Sequence, residues 1–280
     1  MLIADAVQRD LDRIDAICIA GPSSSGKSTF IRRLCVQLQV NGINPVSLGL
    51  DDYYLDRELT PRDEAGDYDF EALSALQLPL LQEHLRRIFA GEAVQTARYH
   101  FAAGRSEPAG GPLISLGERD LLLLEGIHGL NPALLGDIAP ERVFRVFICP
   151  LAQLSIDHLS RVHASDVRLV RRIVRDRHSR GFRAADTIAR WPKVRTAERK
   201  YIFPYQSHAD AVFDTSLIYE LSVLRVYAER YLLEVPRDSP SYTTAFRLLH
   251  ELSGFVSIYP DHVPPTSILR EFIGGSGFEY

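Results

Sequence analysis

Lysine is scarce in this chain. Only Lys27, Lys193 and Lys200 occur among 32 basic residues, so arginine supplies nearly all of the positive charge. A lysine kept in a glycine-rich stretch of such a chain indicates a position that needs a compact ammonium group. The formal net charge is −4, which argues against binding of nucleic acid through bulk positive charge. The net charge therefore disfavours a nucleic-acid partner, while local arginine clusters keep that alternative open.

Cysteine is also rare, and long apolar runs are missing. Cys18, Cys35 and Cys149 stand in apolar stretches without metal-ligand or disulfide spacing, which predicts buried free thiols in a reducing compartment. No apolar run approaches the ~18 residues of a membrane span, and the N-terminus lacks the pattern of a signal peptide. The sequence predicts a cytoplasmic chain with no membrane partner.

The first positive signal is a glycine-rich stretch between a strand pattern and a helix pattern. Residues 21–29 read Gly-Pro-Ser-Ser-Ser-Gly-Lys-Ser-Thr, after an apolar run at 16–20 and before helical spacing at 30–38. This fits the phosphate-loop pattern G-x-x-x-x-G-K-[ST]. Glycines permit a curled backbone whose N–H groups point at one anion, and the helix adds its positive dipole end. A ligand-free glycine-rich turn is the alternative.

The loop pattern assigns roles to single residues. We expect Lys27 to reach the β- and γ-phosphates and the Ser28 hydroxyl to bind Mg²⁺. The other nucleotide-binding candidates of this stretch are Gly21, Ser23, Ser24, Ser25, Gly26 and Thr29.

Apolar runs alternate with helical patterns along the rest of the chain. This alternation predicts an α/β fold, a P-loop NTPase with a parallel sheet flanked by helices on both faces. We expect strands at 45–50, 120–125, 143–149 and 209–213, helices over 72–89, 152–174 and 218–233, and a small β excursion over 94–116. We expect a nucleotide-binding P-loop domain over 1–235 with a lid at about 167–190.

Residues 236–280 are expected to form a C-terminal extension with one short helix at 244–252. This extension would pack on the domain, either over the nucleotide or as a subunit interface of a homo-oligomer.

Acidic residues follow two of the predicted strands. Asp51 comes after the second strand, and Glu125 ends the run at 121–124. Ligands of parallel sheets bind beyond the carboxyl ends of the strands. Asp51 could therefore take a proton from an acceptor hydroxyl, Glu125 could hold Mg²⁺ directly or through water, and Asp69 could hold a polyol. Ordinary turn and strand-end acids are the alternative.

An arginine-dense stretch follows the fourth strand. Arg168, Arg171, Arg172 and Arg175 are spaced as on one helix face, and Arg180-Gly181 follows. These guanidinium groups could close over a triphosphate as a lid, or they could be the solvated face of a helix.

Several of these motifs together resemble the uridine kinase/phosphoribulokinase family over about residues 15–230. The motifs are the loop, Leu-Asp-Asp-Tyr-Tyr at 50–54, Arg-Tyr-His-Phe at 98–101, Leu-Glu-Gly-Ile at 124–127 and the arginines. The tail, with Ile-Phe-Pro-Tyr-Gln at 202–206, resembles the kinase portion of bacterial uridine-kinase-like proteins that often carry threonyl-tRNA-synthetase-like N-terminal domains.

The resemblance implies phosphorylation of a sugar hydroxyl with ATP or GTP and Mg²⁺. By position, Asp51 matches the catalytic carboxylate, Tyr54 and Asp69 match substrate contacts, and Tyr99 matches an aromatic residue beside the nucleobase. Lys27, Arg172 and Arg175 complete the catalytic set that we predict, and Arg180 joins the nucleotide contacts.

The chain departs from uridine kinases where those enzymes read the pyrimidine. Gly104 stands in place of a histidine, and Arg190-Trp191 aligns near an expected glutamine. Losing such polar groups loosens or changes specificity. Arg105 and Arg190 on the acceptor side would favour an anionic acceptor.

The leading hypothesis is therefore a kinase for a nucleoside such as uridine or cytidine, with a small-molecule hydroxyl compound as its partner. A kinase for another sugar, a polyol or an anionic acceptor is the alternative within the same class. A nucleotide-sensing or RNA-associated NTP-binding module is the alternative from a different class.

Overall fold

The computed structural model describes residues 2–151 and 161–279. The chain divides into two compact units. The first, the sheet unit, comprises Met1–Gly21, Leu34–Phe147 and Ala197–Val212, and the second, the helical unit, comprises Pro22–Arg33, Ile148–Thr196 and Phe213–Tyr280. The helices are α1 (Leu2–Arg9), α2 (Lys27–Val40), α3 (Leu78–Phe89), α4 (Ala164–Ser179), α5 (Ala184–Tyr201), α6 (Glu220–Leu233), α7 (Tyr242–Ser253) and α8 (Arg270–Ile273). The strands are β1 (Ala16–Ala20), β2 (Asn44–Gly49), β3 (Val94–Gln95), β4 (Arg98–His100), β5 (Arg105–Glu107), β6 (Leu113–Ile114), β7 (Asp120–Glu125), β8 (Val143–Cys149) and β9 (Ala211–Asp214).

A five-stranded sheet in the order β2-β7-β1-β8-β9 forms the frame. β1 pairs in parallel with β7 and β8, and β2 pairs in parallel with β7. The register sets Glu125 beside Ile19 on one side and Gly49 on the other, so β1, β2 and β7 end at the same edge. The predicted α/β fold with a parallel sheet is confirmed.

The central strands are buried on both faces. Because successive side chains of a strand point to opposite faces, Cys18 and Leu124 share a core with Leu81 of α3, whereas Ile17 and Ile19 are buried on the other face. Burial on both faces explains why β1 and β7 are continuous apolar runs. Within this core, burial raises the pKa of the Cys18 thiol to about 12, and the thiol is free.

Two local predictions in the sheet unit are confirmed. α3 carries Pro79 in its first turn, where a missing N–H costs no intrahelical bond, and a separate 3₁₀ turn over Leu73–Ala75 precedes it. The small β excursion is also present, because β3 pairs with β6 and β4 pairs with β5, both antiparallel.

The helical unit has its own core. α4, α6, α7 and α8 contribute Val170, Leu224, Leu248 and Phe272 to one buried apolar cluster. Ser241 at the start of α7 donates its hydroxyl to the carbonyl of Ala185 in α5 at 2.9 Å. The residues after 236 are thus integral to the core of this unit.

Two sequence-based predictions differ from the structure. For the helix expected over 152–174, the described part shows α4 beginning at Ala164 and residues 161–163 outside any helix; residues 152–160 lie outside the described part. The tail holds α8 in addition to the expected helix, because Leu269, Phe272 and Ile273 are buried in the helical-unit core. Among the described helices, none is both long enough and apolar enough to span a bilayer.

Candidate active site

The phosphate loop adopts a curled backbone. Ser24 and Gly26 have φ values of +57° and +90°, in the left-handed region, and α2 begins directly afterwards at Lys27. The N–H of Ser25 closes a turn onto the carbonyl of Pro22 at 3.2 Å. A β-carbon on Gly26 would stand 2.7 Å from Cγ2 of Ile268, so glycine is required by both space and conformation.

Two hydroxyl groups of this loop are buried and have no hydrogen-bond partner. Oγ of Ser24 and Oγ of Ser25 both belong to side chains that are almost completely inaccessible. A buried donor without a partner costs free energy, and a bound anion would supply the missing acceptor. Together with the helix N-terminus, these hydroxyls fit the loop to phosphate groups. Lys27 and Ser28, both half-buried, are the first residues of α2.

Two arginines of α4 donate hydrogen bonds to backbone carbonyls of the loop. The guanidinium of Arg168 donates to the carbonyl of Ser23 at 3.0 Å, and that of Arg171 donates to the carbonyls of Ser24 and Ser25, each at 3.4 Å. In a trans peptide the C=O and N–H point in opposite directions. Fixing the carbonyls of Ser23 and Ser25 therefore directs the N–H groups of the following residues away from the arginines.

Arg171 is fully buried and paired. Its Nε donates to Glu220 at 2.6 Å, and its other nitrogens donate to the carbonyl and hydroxyl of Thr215. The expectation that Arg171 closes over the triphosphate, or lies on a solvated helix face, is wrong. Its guanidinium group donates to backbone carbonyls of the loop instead, and Glu220 and Thr215 hold it there as hydrogen-bond acceptors.

Arg172, Arg175 and Arg180 surround a single carboxylate. Their nitrogens lie 3.3, 2.9 and 3.8 Å from oxygens of Asp176, whose side chain is 3% exposed. Arg172 also donates to Oγ of Ser23 in the loop at 2.7 Å. Burial lowers the pKa of Arg172, Asp176 opposes that shift, and the charges of Arg175 and Arg180 reinforce it. Because three guanidinium groups surround one carboxylate, the cluster carries excess positive charge.

A pocket of about 250 Å³ lies in the sheet unit. It is lined by Asp51, Tyr54, Arg57, Phe70, Tyr99 and Phe101. Edge-to-face contacts connect the aromatic rings, with centroids 5.6 Å apart for Tyr54 and Tyr99 and 5.0 Å apart for Tyr99 and Phe101. One carboxylate and one guanidinium in an aromatic pocket suit a small polar ring compound.

Neighbouring aspartates after β2 have different surroundings. Asp51 lies in a 3₁₀ turn over Leu50–Tyr53 and lines the pocket. Asp52 accepts a hydrogen bond from the N–H of Tyr99 at 3.3 Å and lies 3.7 Å from Arg98, so it fixes β4. Burial and the charge of Asp51 raise the pKa of the Tyr54 hydroxyl, which therefore stays protonated.

Asp69 is positioned outside this set of lining residues. It accepts a short hydrogen bond of 2.6 Å from the hydroxyl of Tyr201 at the end of α5. The pKa of Tyr201 is raised by burial and by this hydrogen bond. The ring of His128 packs edge-on to Tyr201, and burial lowers the pKa of His128 to about 4, against opposing backbone contacts. His128 is therefore neutral at pH 7.

Three lining residues were not among the predicted site residues: Phe70, Phe101 and, as the charged one, Arg57. Its guanidinium donates to the carbonyl of Phe101 at 3.0 Å and packs over Gly104, where a β-carbon would stand 2.8 Å from Cζ of Arg57. Gly104 has a φ of +67°, and its carbonyl accepts from the N–H of Arg57 at 2.8 Å. Only the folded loops bring these residues together, so spacing gave no signal.

The two arginines expected on the acceptor side are not among the lining residues of this pocket. Arg105 is exposed on β5 and is not among the pocket-lining residues, and Arg190 of α5 stacks over the ring of Phe182 at 4.4 Å. Glu125 ends β7 at the edge where β1 and β2 also end. Within the described ranges, no cluster of three or more His, Cys, Asp or Glu side chains offers a metal site made by protein alone.

Comparisons with known proteins agree with this geometry. The profile of the "Phosphoribulokinase / Uridine kinase family" matches residues 16–217. A uridine kinase of Brevibacillus brevis is 26% identical over 197 residues, which cover 70% of this chain and 82% of that protein. A uridine kinase of Halobacterium salinarum is 25% identical over 198 residues, which cover 70% and 78%. The crystal structure of a protein named as a fructose transport system kinase, from Silicibacter sp. TM1040, has the same fold, with a TM-score of 0.52 at 19% identity, over 76% of this chain and 99% of that one.

Proposed function

Because this chain belongs to the phosphoribulokinase / uridine kinase family, we propose that it transfers the γ-phosphoryl group of ATP to a hydroxyl of a nucleoside such as uridine or cytidine. Family membership makes it a phosphotransferase that acts on a hydroxyl group. Two observations support the donor side: the hydroxyls of Ser24 and Ser25 in the loop are buried without a partner, and Arg172 of the cationic cluster donates to the hydroxyl of the neighbouring Ser23. GTP would fit the same phosphate contacts.

On the donor side, charge neutralisation is the main task. Lys27 would contact the β- and γ-phosphates, and the loop N–H groups of Ser24 and Gly26 would bind phosphate oxygens. Arg172, Arg175 and Arg180 would stabilise the negative charge that develops on the phosphate oxygens during transfer. They can do so because the one carboxylate that they share leaves most of their positive charge uncompensated. Bidentate geometry suits guanidinium groups to phosphate.

Magnesium would be held by oxygen donors of this chain. The hydroxyl of Ser28 is a suitable ligand, and Glu125 would contribute directly or through water. When bound with the nucleotide, Mg²⁺ neutralises phosphate charge. The lack of an all-protein acidic cluster in the described chain fits an ion that keeps water and phosphate ligands.

On the acceptor side, Asp51 would orient the hydroxyl and receive its proton. A loose transition state needs that proton removed late, so position matters more than basicity. Tyr54 and Tyr99 present aromatic faces and edges to a ring, and Tyr201 fixes the carboxylate of Asp69, a further candidate acceptor contact. Free buried thiols such as Cys18 suit a cytoplasmic protein, which we also propose.

The acceptor is tested by product identification. The full chain would be incubated with ATP, Mg²⁺ and single compounds from a panel of nucleosides, sugars, sugar phosphates and polyols. We expect mass spectrometry to find a phosphorylated nucleoside. If only sugars, sugar phosphates or polyols are phosphorylated, the chain is still a kinase but the hypothesis of a nucleoside acceptor is rejected.

Arg57 favours a second candidate, a kinase for an anionic acceptor such as a sugar phosphate. Its guanidinium lines the pocket and has no ion pair within the described part of the chain. Arg57 packs over Gly104, where uridine kinases typically carry a histidine that reads the base. A cation in this place would bind a phosphate or carboxylate of the acceptor.

Replacing Arg57 by Gln separates these two candidates. For an anionic acceptor we expect the KM of the acceptor to rise about 10- to 100-fold, because a charge-assisted hydrogen bond contributes about 1.5–3 kcal/mol. The dephosphorylated sugar and neutral nucleosides should change less than about threefold. Arg62→Gln is the control, since Arg62 bonds Gly66 and stacks on Tyr68 outside the pocket. Equal effects on charged and neutral acceptors would reject the anionic candidate.

A further inference from the structure

The C-terminal segment Ser267–Gly274 lies directly against the phosphate loop within the helical unit. This segment falls outside residues 16–217, to which the family profile extends. Three of its side chains contact the loop or the arginine behind it: Ile268, Glu271 and Phe272. Part of the surroundings of the phosphate loop therefore comes from residues beyond the region that the family profile matches.

Glu271 makes the most specific of these contacts. Its Oε2 accepts hydrogen bonds from the backbone N–H and from the hydroxyl of Thr29, each at 3.1 Å. Thr29 lies in the first turn of α2 and is completely buried. The first N–H groups of a helix lack partners inside the helix, and a carboxylate both satisfies one of them and interacts favourably with the helix dipole.

Ile268 and Phe272 contact the loop from the same segment. Cγ2 of Ile268 would lie only 2.7 Å from a β-carbon on Gly26, so the segment leaves room only for glycine. The ring of Phe272 lies 5.2 Å from Cζ of Arg171, the residue that donates to the carbonyls of Ser24 and Ser25. These contacts restrain the loop and the arginine that donates to its carbonyls.

The segment is itself held firmly. Arg270 donates to the carbonyls of Val263 and Pro260, and Leu269 and Phe272 are buried in the helical-unit core. A group that positions another must have its own geometry fixed by packing and hydrogen bonds. Ser267–Gly274 meets that condition.

We propose that the C-terminal segment is a positioning element of the donor site, and that Glu271 is the positioning residue through which it sets the affinity of the loop for ATP. Glu271 acts through Thr29: by accepting hydrogen bonds from the N–H and the hydroxyl of Thr29, it fixes the start of α2. The proposal rests on the proposed function only in taking this loop as the ATP site.

The test measures ATP binding without any acceptor, so it does not depend on the proposed reaction. Binding of ATP to the full chain would be measured by calorimetry for Glu271→Ala, Glu271→Gln and the control Glu234→Ala. Glu234 pairs with Arg177 on the surface of the same unit. We expect Glu271→Ala to weaken ATP binding about tenfold. Glu271→Gln, which keeps an acceptor oxygen for Thr29, and Glu234→Ala should stay within about threefold.

Thermal unfolding of each variant identifies a merely structural effect. If Glu271→Ala binds ATP as tightly as the wild-type chain, or if Gln and Ala are equally impaired, the positioning role is rejected. A variant with a lowered Tm but unchanged affinity also rejects it. If Glu271→Ala fails to fold, Thr29→Val decides: we expect a loss of about fivefold in affinity, because one of the two hydrogen bonds is removed, and a loss of less than about threefold rejects the positioning role.

Discussion

Replacing Asp51 by Asn is expected to lower kcat for phosphorylation of the acceptor by about 10²- to 10⁴-fold. The amide is isosteric but cannot take the proton of the acceptor hydroxyl, and Asp51 is the carboxylate that lines the pocket. The affinity for ATP should stay within about threefold, because the loop contacts are unchanged. Steady-state kinetics with the phosphorylated acceptor as the measured product give kcat, and calorimetry gives ATP affinity.

Asp52→Asn is the matched control for this experiment. The asparagine oxygen can still accept from the N–H of Tyr99, and the lost ion pair with the exposed Arg98 is weak. We expect kcat to change less than about threefold. Normal turnover of the Asp51 variant, or a larger loss in the Asp52 variant, would contradict the role of Asp51.

Replacing Arg171 by Met is expected to lower the free energy of unfolding by about 3–5 kcal/mol, because Glu220 would be left as an unpaired buried charge. Both side chains of this pair are almost inaccessible, at 0% and 2% exposure. The variant also removes the donors to the carbonyls of Ser24 and Ser25, so ATP binding should weaken about tenfold. Denaturant unfolding measures stability, and calorimetry measures ATP affinity.

The double variant Arg171→Met, Glu220→Gln separates these two consequences. Neutralising Glu220 removes the unpaired charge, so about 2 kcal/mol or more of the lost stability should return. ATP affinity should remain weak, because the loop carbonyls still lack their donors. Recovery of both quantities would mean that Arg171 serves stability alone and does not position the loop.

The sequence predicted the elements of the candidate site that depend on local order. Strand, glycine-rich turn and helix follow one another along the chain, and Asp51 and Glu125 each come at the end of an apolar strand. Adjacent parallel strands end at one edge, so the chain positions alone indicated where these acids lie. The order of the motifs along the chain also resembled that of a known kinase family, and this resemblance supplied the expected roles of single residues.

The remaining parts depend on contacts between distant segments. The helical spacing of the α4 arginines is the same whether a guanidinium group faces the phosphates or the loop carbonyls. For Arg171, the hydrogen bonds to Glu220 and Thr215 direct the guanidinium group to the loop carbonyls. Arg57 reaches the pocket because Gly104 adopts a positive φ and leaves space for it. Glu271 is 242 residues from Thr29, and no local pattern connects them.

The central claim is that this chain is a kinase with a small hydroxyl acceptor. The most direct measurement is the rate of ADP release by the full chain with ATP and Mg²⁺, with and without each compound of the acceptor panel. We predict that at least one acceptor raises the rate about 100-fold or more, with one phosphorylated acceptor formed per ADP, and that Asp51→Asn abolishes the increase. Slow ADP release that no acceptor stimulates would contradict the account and would favour a nucleotide-sensing module.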